Sequence, residues 1–428
     1  MKIAFLGVRV PGHLNPMTAL ARKLKARGHD VVFLSILDTE PSVRAAQLPY
    51  VPFCEKDFPI GSLGKSLAQL SKLQGQAALE FAIQLVAANL ESAFRNLPQA
   101  LREANVGALV LDEADRGLAA VPMHLGMPYV HVSNALPLDF SGNTPICTFD
   151  WQHETTTEAL ARNKEGVRAF LQAYEPITSV TRAYAKQVGL DIDWSDPHAT
   201  ISKLAWLTQM PKEFDFENAQ WPRQFHYTGP FHDGRGRIES DFPWDRLTGE
   251  PLIYASMGTL QNGLESVFST IAEAVGTRPG MQLVLSIGPA LDPAKISSLP
   301  GNCIVVKNAP QMELLKGAAL CITHAGLNTA LESLTQGVPM AAIPVSIDQP
   351  GVAARIAHTR TGAYVSLQEL TAARLSTLIG EVLSNPEYRQ NAQKMRAAIA
   401  KTNGLEKAAD LLEQAFNLSP RRELSSVN

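Results

Sequence analysis

The stretch Leu320-Cys-Ile-Thr-His-Ala-Gly-Leu-Asn-Thr329 decides the reading of the chain, with Asn308-Ala-Pro-Gln311 before it and Glu332, Gly337-Val-Pro339 and Asp348-Gln349 after it. Leu320–Thr323 is a short apolar run bounded by a turn, which reads as a buried strand. It delivers His324-Ala-Gly326 onto a helix beginning near Asn328. A helix N-terminus offers unpaired N–H groups and the positive end of its dipole, so it attracts anions. There His324 adds a donor, Gly326 lets the main chain come close, and Asn328 and Thr329 add side-chain donors, which together make a diphosphate cradle. Glu332, one helical turn on, is placed to accept hydrogen bonds from a ribose diol. From spacing alone, an ordinary strand–turn–helix capped by Asn fits equally well.

Working outward, Leu252–Ser256, Leu283–Ile287, Cys303–Val306 and Met340–Ile343 are further strands of the same series. The closing helices are expected over Arg374–Leu383, Gln390–Ala400 and Leu405–Phe416. The turn Ser256-Met-Gly-Thr259 follows the first of these strands, and Ser286 closes its neighbour, at the strand ends where α/β sheets bind ligands. The N-terminal half repeats the rhythm. Lys2–Val8 is a strand, Arg9–Leu14 a loop, and Asn15 with Pro16 reads as the cap and first position of a helix that stops at Gly28. Val31–Leu37 is the next strand, completing a βαβ unit. Ala108–Leu111 and Tyr129–Ser133 are further strands, and the sequence between Phe53 and Ala100 is mostly helical and amphipathic. Gly, Pro and charge concentrate in Tyr227–Pro251, the expected linker. The expected organisation is therefore two Rossmann-like α/β/α domains, 1–226 and 252–416, joined by 227–251, with a polar tail over 417–428 and the last helices packing back on the first domain. The active site is expected in the cleft between them.

The loop Pro11-Gly-His-Leu-Asn-Pro16 places His13 at that cleft. An imidazole, with an ordinary pKa of about 6.5, can take a proton from a hydroxyl near neutral pH. It does so better when a carboxylate fixes its tautomer. Asp112 ends the strand Leu109-Val-Leu-Asp112 and is the candidate partner, with Glu113 and Asp115 as rivals. Phe140, Phe149 and Trp151 are irregularly spaced in a Pro- and Gly-bearing stretch and are candidates for an apolar acceptor wall.

Composition limits the alternatives. The chain has 428 residues, 38 Lys plus Arg against 41 Asp plus Glu, and a net charge of −3, which leaves no electrostatic footprint for nucleic acid. Cys54, Cys147, Cys303 and Cys321 are isolated, without metal-ligand or disulfide spacing, so a reducing compartment and a cytoplasmic location are expected. No leader and no membrane span are expected. The Gly-Arg-Gly around Arg235 reads as flexible linker, and no G-x-G-x-x-G succeeds the first strand, which weakens a nicotinamide enzyme.

The segment from Asn308-Ala-Pro-Gln311 to Asp348-Gln349 closely resembles the donor-binding signature of family 1 glycosyltransferases, UDP-sugar-using enzymes of the GT-B fold. That signature runs from aromatic-x-Pro-Gln through His-x-Gly-x-Asn-Ser/Thr and a Glu to a closing Asp-Gln. Asp348-Gln-Pro-Gly-Val-Ala-Ala-Arg355 is most similar to the bacterial branch that contains the zeaxanthin glucosyltransferases, and a weaker resemblance extends from residue 1 to about residue 410. The resemblance implies His324 on the diphosphate, Asn328 and Thr329 beside it, Glu332 on the ribose, Asp348 and Gln349 on the sugar, and main chain near Ala309 and Gln311 on the uracil. It implies that Ser256, Gly258 and Thr259 face the donor phosphates, and that His13 and Asp112 are the catalytic pair. A closing Gln accompanies glucose more than galactose. The chain departs from the plant pattern at Asn308, where a Trp stacks on the base, so uridine and thymidine both stay open.

The reaction implied is an inverting transfer of a hexose, glucose first, from a UDP-sugar to a hydroxyl of a small lipophilic acceptor such as a flavonoid, another phenol, a xenobiotic or a carotenoid-like alcohol. No bound cofactor and no metal are expected, and the chain is expected to be a monomer. A GT-B UDP-sugar epimerase and a non-catalytic nucleotide-sugar binding protein are the alternatives.

Overall fold

The structure is a computed structural model that describes residues 1–428 apart from 239, 259–263, 290 and 420–428. Two all-parallel sheets carry it. The first holds β1 (Lys2–Leu6), β2 (Asp30–Ser35), β3 (Tyr50–Pro52), β4 (Val106–Asp112), β5 (Tyr129–Ser133), β6 (Trp206–Thr208) and β7 (Phe225–Tyr227), in the order β3-β2-β1-β4-β5-β6-β7. The second holds β8 (Leu252–Ser256), β9 (Gln282–Ser286), β10 (Ile304–Val306), β11 (Ala318–Thr323), β12 (Met340–Ala342) and β13 (Gly362–Tyr364), in the order β10-β9-β8-β11-β12-β13. The helices are α1 (Pro11–Ala26), α2 (Glu40–Ala45), α3 (Ser62–Leu70), α4 (Gly75–Glu103), α5 (Ala120–Leu125), α6 (Thr157–Ala173) and α7 (Glu175–Gln187) around the first sheet. Around the second are α8 (Glu265–Gly276), α9 (Gln311–Gly317), α10 (Leu327–Gln336), α11 (Gln349–His358), α12 (Ala372–Ser384) and α13 (Pro386–Ile399), with α14 (Gly404–Ala415) last.

The strands are parallel because each is apolar on both faces and needs a helical layer on either side. In β1, Ile3 and Phe5 pack with Leu20 and Leu24 of α1, whereas Ala4 and Leu6 pack with Leu90 and Leu97 of α4. Both sheets begin in the Rossmann order, so each reverses direction at one point, between β1 and β4 and between β8 and β11. Loops leaving the two strands at such a point diverge and leave a crevice at the strand ends. The first crevice receives the loop after Leu6 and the end of β4 at Asp112; the second receives the loops after Ser256 and Thr323.

The start of α1 differs from the sequence expectation. The helix begins at Pro11 with Val10 as its cap, and Pro16 lies inside it. Pro16 has no N–H to give to the Gly12 carbonyl one turn back. That carbonyl instead accepts a hydrogen bond from the Asn328 amide in α10, at 2.5 Å. His13 therefore stands on the first helical turn and not in a free loop.

A second difference concerns α4. By length and composition alone it is apolar enough to cross a membrane, against the expectation that no segment is. It is apolar on two sides for two reasons. Leu90, Phe94, Leu97 and Leu101 face the core of the first half, while Leu79, Ala82 and Val86 line the central cavity.

The two halves touch through specific groups. Arg355 of α11 gives two hydrogen bonds to Asp215 of the first half, at 3.0 and 2.8 Å, and both side chains are buried. The Gly351 N–H donates to the Cys147 carbonyl at 2.8 Å. Helix α14 returns to the first sheet, burying Ala408, Leu412 and Phe416 among residues of α1 and β1. Arg27 at the end of α1 pairs there with Glu406, Asp410 and Glu413.

Candidate active site

One cavity of about 570 Å³ runs between the halves. It is lined by His13 from the first half and by Ser256, Gly258, Ser286, Ala309, Gln311, His324, Gly326, Asn328, Thr329, Glu332, Asp348 and Gln349 from the second. Thr259 lies outside the described residues.

On the first side, β1 and β4 are neighbours with Leu6 opposite Leu111, so the residues beyond them emerge side by side. The His13 Nδ1 is 2.7 Å from the Asp112 Oδ2. Asp112 sits behind His13, fully buried, and also accepts from the Asn134 amide at 2.9 Å and the Ala114 N–H at 3.1 Å. Burial would raise the Asp112 carboxyl, but the His13 charge and these bonds outweigh it and hold it below the ordinary carboxylate range. Burial would likewise lower the His13 imidazole, but the Asp112 charge and hydrogen bond hold it above the ordinary histidine value. An ionised carboxylate only accepts, so in the neutral imidazole Nδ1 carries the proton and Nε2 keeps the lone pair. The rival carboxylates are different. Burial pushes Glu113 up to about 7, and burial with the neighbouring Asp112 charge pushes Asp115 up to about 6. Neither bonds the imidazole; Glu113 accepts from the Ser133 hydroxyl at 2.9 Å.

On the second side, β11 ends at Thr323 and α10 begins at Leu327 with Gly326 as its cap, so the free N–H groups of the helix open into the cavity wall. The His324 ring lies between two glycines. A Cβ on Gly258 would come within 2.5 Å of the ring, and one on Gly326 within 2.4 Å. Burial pushes this imidazole down to about 4, so near neutral pH it is an uncharged donor. Glu332 is buried and held from two sides: its Oε2 accepts from the Gln311 amide at 2.6 Å, and its Oε1 accepts from Arg237. Gln311 is fixed in turn by the Tyr254 hydroxyl, at 3.0 Å. Asn328, in the first turn of α10, spends its side chain on the first half. It donates to Gly12 and accepts from Gln209 at 2.9 Å, bridging the halves. Asp348 accepts from the Leu136 N–H of the first half at 3.1 Å, and burial raises its carboxyl. Beside it is Ile347, a β-branched residue at φ 61°, which marks local backbone strain next to the cavity. The Gln349 side-chain carbonyl accepts from the Val345 and Ser346 N–H groups at 2.9 and 3.1 Å.

The aromatic wall expected from the sequence is elsewhere. Phe149 stacks on Trp151 with centroids 4.0 Å apart, and Phe140 tilts against Phe170 at 6.0 Å; none of Phe140, Phe149 and Trp151 lines the cavity. Their spacing serves packing beneath α6. An apolar stretch of the cavity wall in the first half comes instead from Phe58, Leu63, Leu67 and Leu70 with Ile83 and Val86 of α4. The amphipathic run after Phe53 carries the signal, but core and cavity faces share the same periodicity. Arg237, in the stretch whose composition reads as plain linker, also lines the cavity. Among the described residues, no group of three or more His, Cys, Asp or Glu is arranged to hold a metal ion.

The comparisons with known proteins agree with this architecture. The profile of the family described as UDP-glucoronosyl and UDP-glucosyl transferase matches residues 246–405. Oleandomycin glycosyltransferase of Streptomyces antibioticus is 32% identical over 420 residues, spanning 96% of this chain and 90% of its own length. Zeaxanthin glucosyltransferase of Pantoea ananas is 28% identical over 405 residues, spanning 94% and 93%. Among solved structures, the glycotransferase of kitacinnamycin superposes with a TM-score of 0.71 at 23% identity, covering 98% of this chain and 99% of that one. Two Rossmann-like sheets with a cavity between them are the GT-B fold. The chain belongs to family 1 of these enzymes, the UDP-glycosyltransferases.

Proposed function

We propose that the enzyme transfers a hexose, glucose in the first instance, from a UDP-sugar to a hydroxyl of a small lipophilic acceptor by a single inverting displacement. The observation that carries this reading is the 2.7 Å contact between His13 and a buried, ionised Asp112 on the wall of the cavity that also holds His324, Thr329, Glu332 and Asp348. His13 takes the proton of the acceptor hydroxyl as that oxygen attacks the anomeric carbon. Asp112 keeps the imidazole in the right tautomer and stabilises the imidazolium. Charge develops on the leaving diphosphate, where neutral His324, Thr329 and the α10 N-terminus are the candidate donors. Glu332 accepts from the ribose, and Asp348 with Gln349 contacts the sugar. In this reading residues 1–226 carry the acceptor and the base, and 252–416 carry the donor.

The apolar wall of Leu63, Leu67, Leu70, Ile83 and Val86, in the same cavity as His13, supports a lipophilic aglycone such as a phenol, a flavonoid or a carotenoid-like alcohol. Two of the similar proteins are named for zeaxanthin and for oleandomycin, which supports large acceptors. The test is acceptor-dependent UDP release from UDP-glucose, UDP-galactose and TDP-glucose across a panel of phenols and alcohols, for wild type and His13→Ala. Loss of general-base catalysis lowers kcat by about 10²- to 10⁴-fold. Release that survives the substitution unchanged would remove His13 as the base.

A further inference from the structure

The segment 228–251 is more than a connection. It is tied to the first half where the Arg22 guanidinium donates to both Asp233 carboxylate oxygens, at 2.6 and 2.7 Å, and to the Arg235 carbonyl at 2.9 Å. The next residue, Gly236, has φ 70° and lies so close to Arg22 and Ala46 that a Cβ would collide with the guanidinium. Glycine suits both the left-handed backbone and that gap, since a side chain there would push the Arg22 guanidinium away. Its path then delivers Arg237 into the cavity, where the guanidinium meets Glu332 Oε1.

We propose that Arg237 is a positioning residue for the ribose of the nucleotide, acting through Glu332. The assignment rests on Glu332 being the ribose acceptor. Glu332 is almost completely buried, and a buried carboxylate needs a paired cation and hydrogen bonds to offset its desolvation. Arg237 supplies that cation, and with the Gln311 amide on the other oxygen it fixes where the carboxylate lies. A carboxylate has about four lone-pair directions. Arg237 and the Gln311 amide each take one, on different oxygens, so one remains on each oxygen for the two ribose hydroxyls. Burial opposes the charge on Arg237, yet the Glu332 carboxylate holds its pKa above the ordinary value, as a committed ion pair requires. The linker is thereby part of the donor site, and because its anchor Arg22 belongs to α1, the same helix that carries His13 supports nucleotide binding.

The test compares UDP with 2′-deoxy-UDP by calorimetry on the full-length chain, for wild type, Arg237→Met, Arg237→Lys and Glu332→Gln. Arg237→Met is expected to weaken UDP by about 10- to 100-fold, the range of one charge-assisted hydrogen bond. The preference for UDP over 2′-deoxy-UDP should shrink toward none, and Arg237→Lys should restore part of it. In turnover the loss appears in the donor KM and not in kcat. UDP binding that stays the same or tightens in Arg237→Met overturns the assignment, as does an equal loss for both nucleotides, which would mean direct contact with phosphate. If Glu332→Gln itself binds UDP like wild type, the ribose role of Glu332 fails. If Glu332→Gln is weak but Arg237→Met is not, only the role of Arg237 fails.

Discussion

At the scale of single residues, the cavity sorts its titratable groups by what surrounds each one. His13 and Asp112 share one hydrogen bond and move apart in pKa, the imidazole upward and the carboxyl downward. His324, buried without a charged partner, moves the other way and stays neutral. The same side-chain type is thus shifted upward on one wall and downward on the other, which suits the proposed base and the proposed neutral donor. Activity should depend on pH accordingly. The base form of His13 is the neutral one, so kcat/KM falls as pH drops through its pKa, and the acid limb lies above the ordinary histidine value of about 6.5. In Asp112→Asn the stabilising charge is gone and burial is left to dominate, so the limb moves to lower pH and the plateau drops by about 10²- to 10⁴-fold. Glu113, at about 7, titrates in the same window, and Glu113→Gln separates the two. With His13 as the titrating base, that variant keeps the acid limb; a limb that disappears with Glu113 assigns the titration to the carboxyl instead.

Among the elements, α1, α10 and α11 do the joining. Pro16 opens one carbonyl in α1, and Asn328 of α10 fills it. Arg355 of α11 buries its charge on Asp215, and Asp215 also accepts from the Tyr227 hydroxyl at 2.5 Å and the Trp221 indole at 3.2 Å. Removing one partner of a buried pair leaves the other charge stranded, which costs about 3–5 kcal/mol. Asp215→Ala is therefore expected to lower unfolding free energy by that amount in urea titration, and a change below about 1 kcal/mol would mean that water replaces the carboxylate at little cost. At these junctions the sequence stops being legible. Leu320–Thr323 and Leu252–Ser256 can be read because a buried parallel strand is written in one continuous apolar run. The pairing of His13 with Asp112 can be read because two motifs end neighbouring strands. The start of α1 cannot, since Asn15-Pro16 carries a good local capping signal that a carbonyl partner 316 residues away overrides. The apolar wall cannot, because Leu63 and Leu67 have the helical spacing of any core face. Arg237 cannot, because linker composition says nothing about where the chain is pinned.

For the whole molecule, the division into two sheets explains why one cavity can serve a two-substrate reaction. Each sheet reverses order once, and residues from both crevices line one cavity. His13 therefore looks across at the helix N-terminus of α10, and Asp348 reaches back to the Leu136 N–H. The proposed mechanism puts the base on one wall and the diphosphate cradle on the other, so that the acceptor oxygen would approach from the side opposite the leaving group and a single displacement would invert the anomeric carbon. The configuration of the product tests this most directly. The α-linked donor UDP-glucose is turned over with one phenolic acceptor, and the anomeric proton of the glucoside is read by NMR before any equilibration. The opposed walls predict a β-glucoside alone. An α-glucoside would contradict them, since retention needs either attack from the diphosphate side or a second displacement through a glycosyl-enzyme.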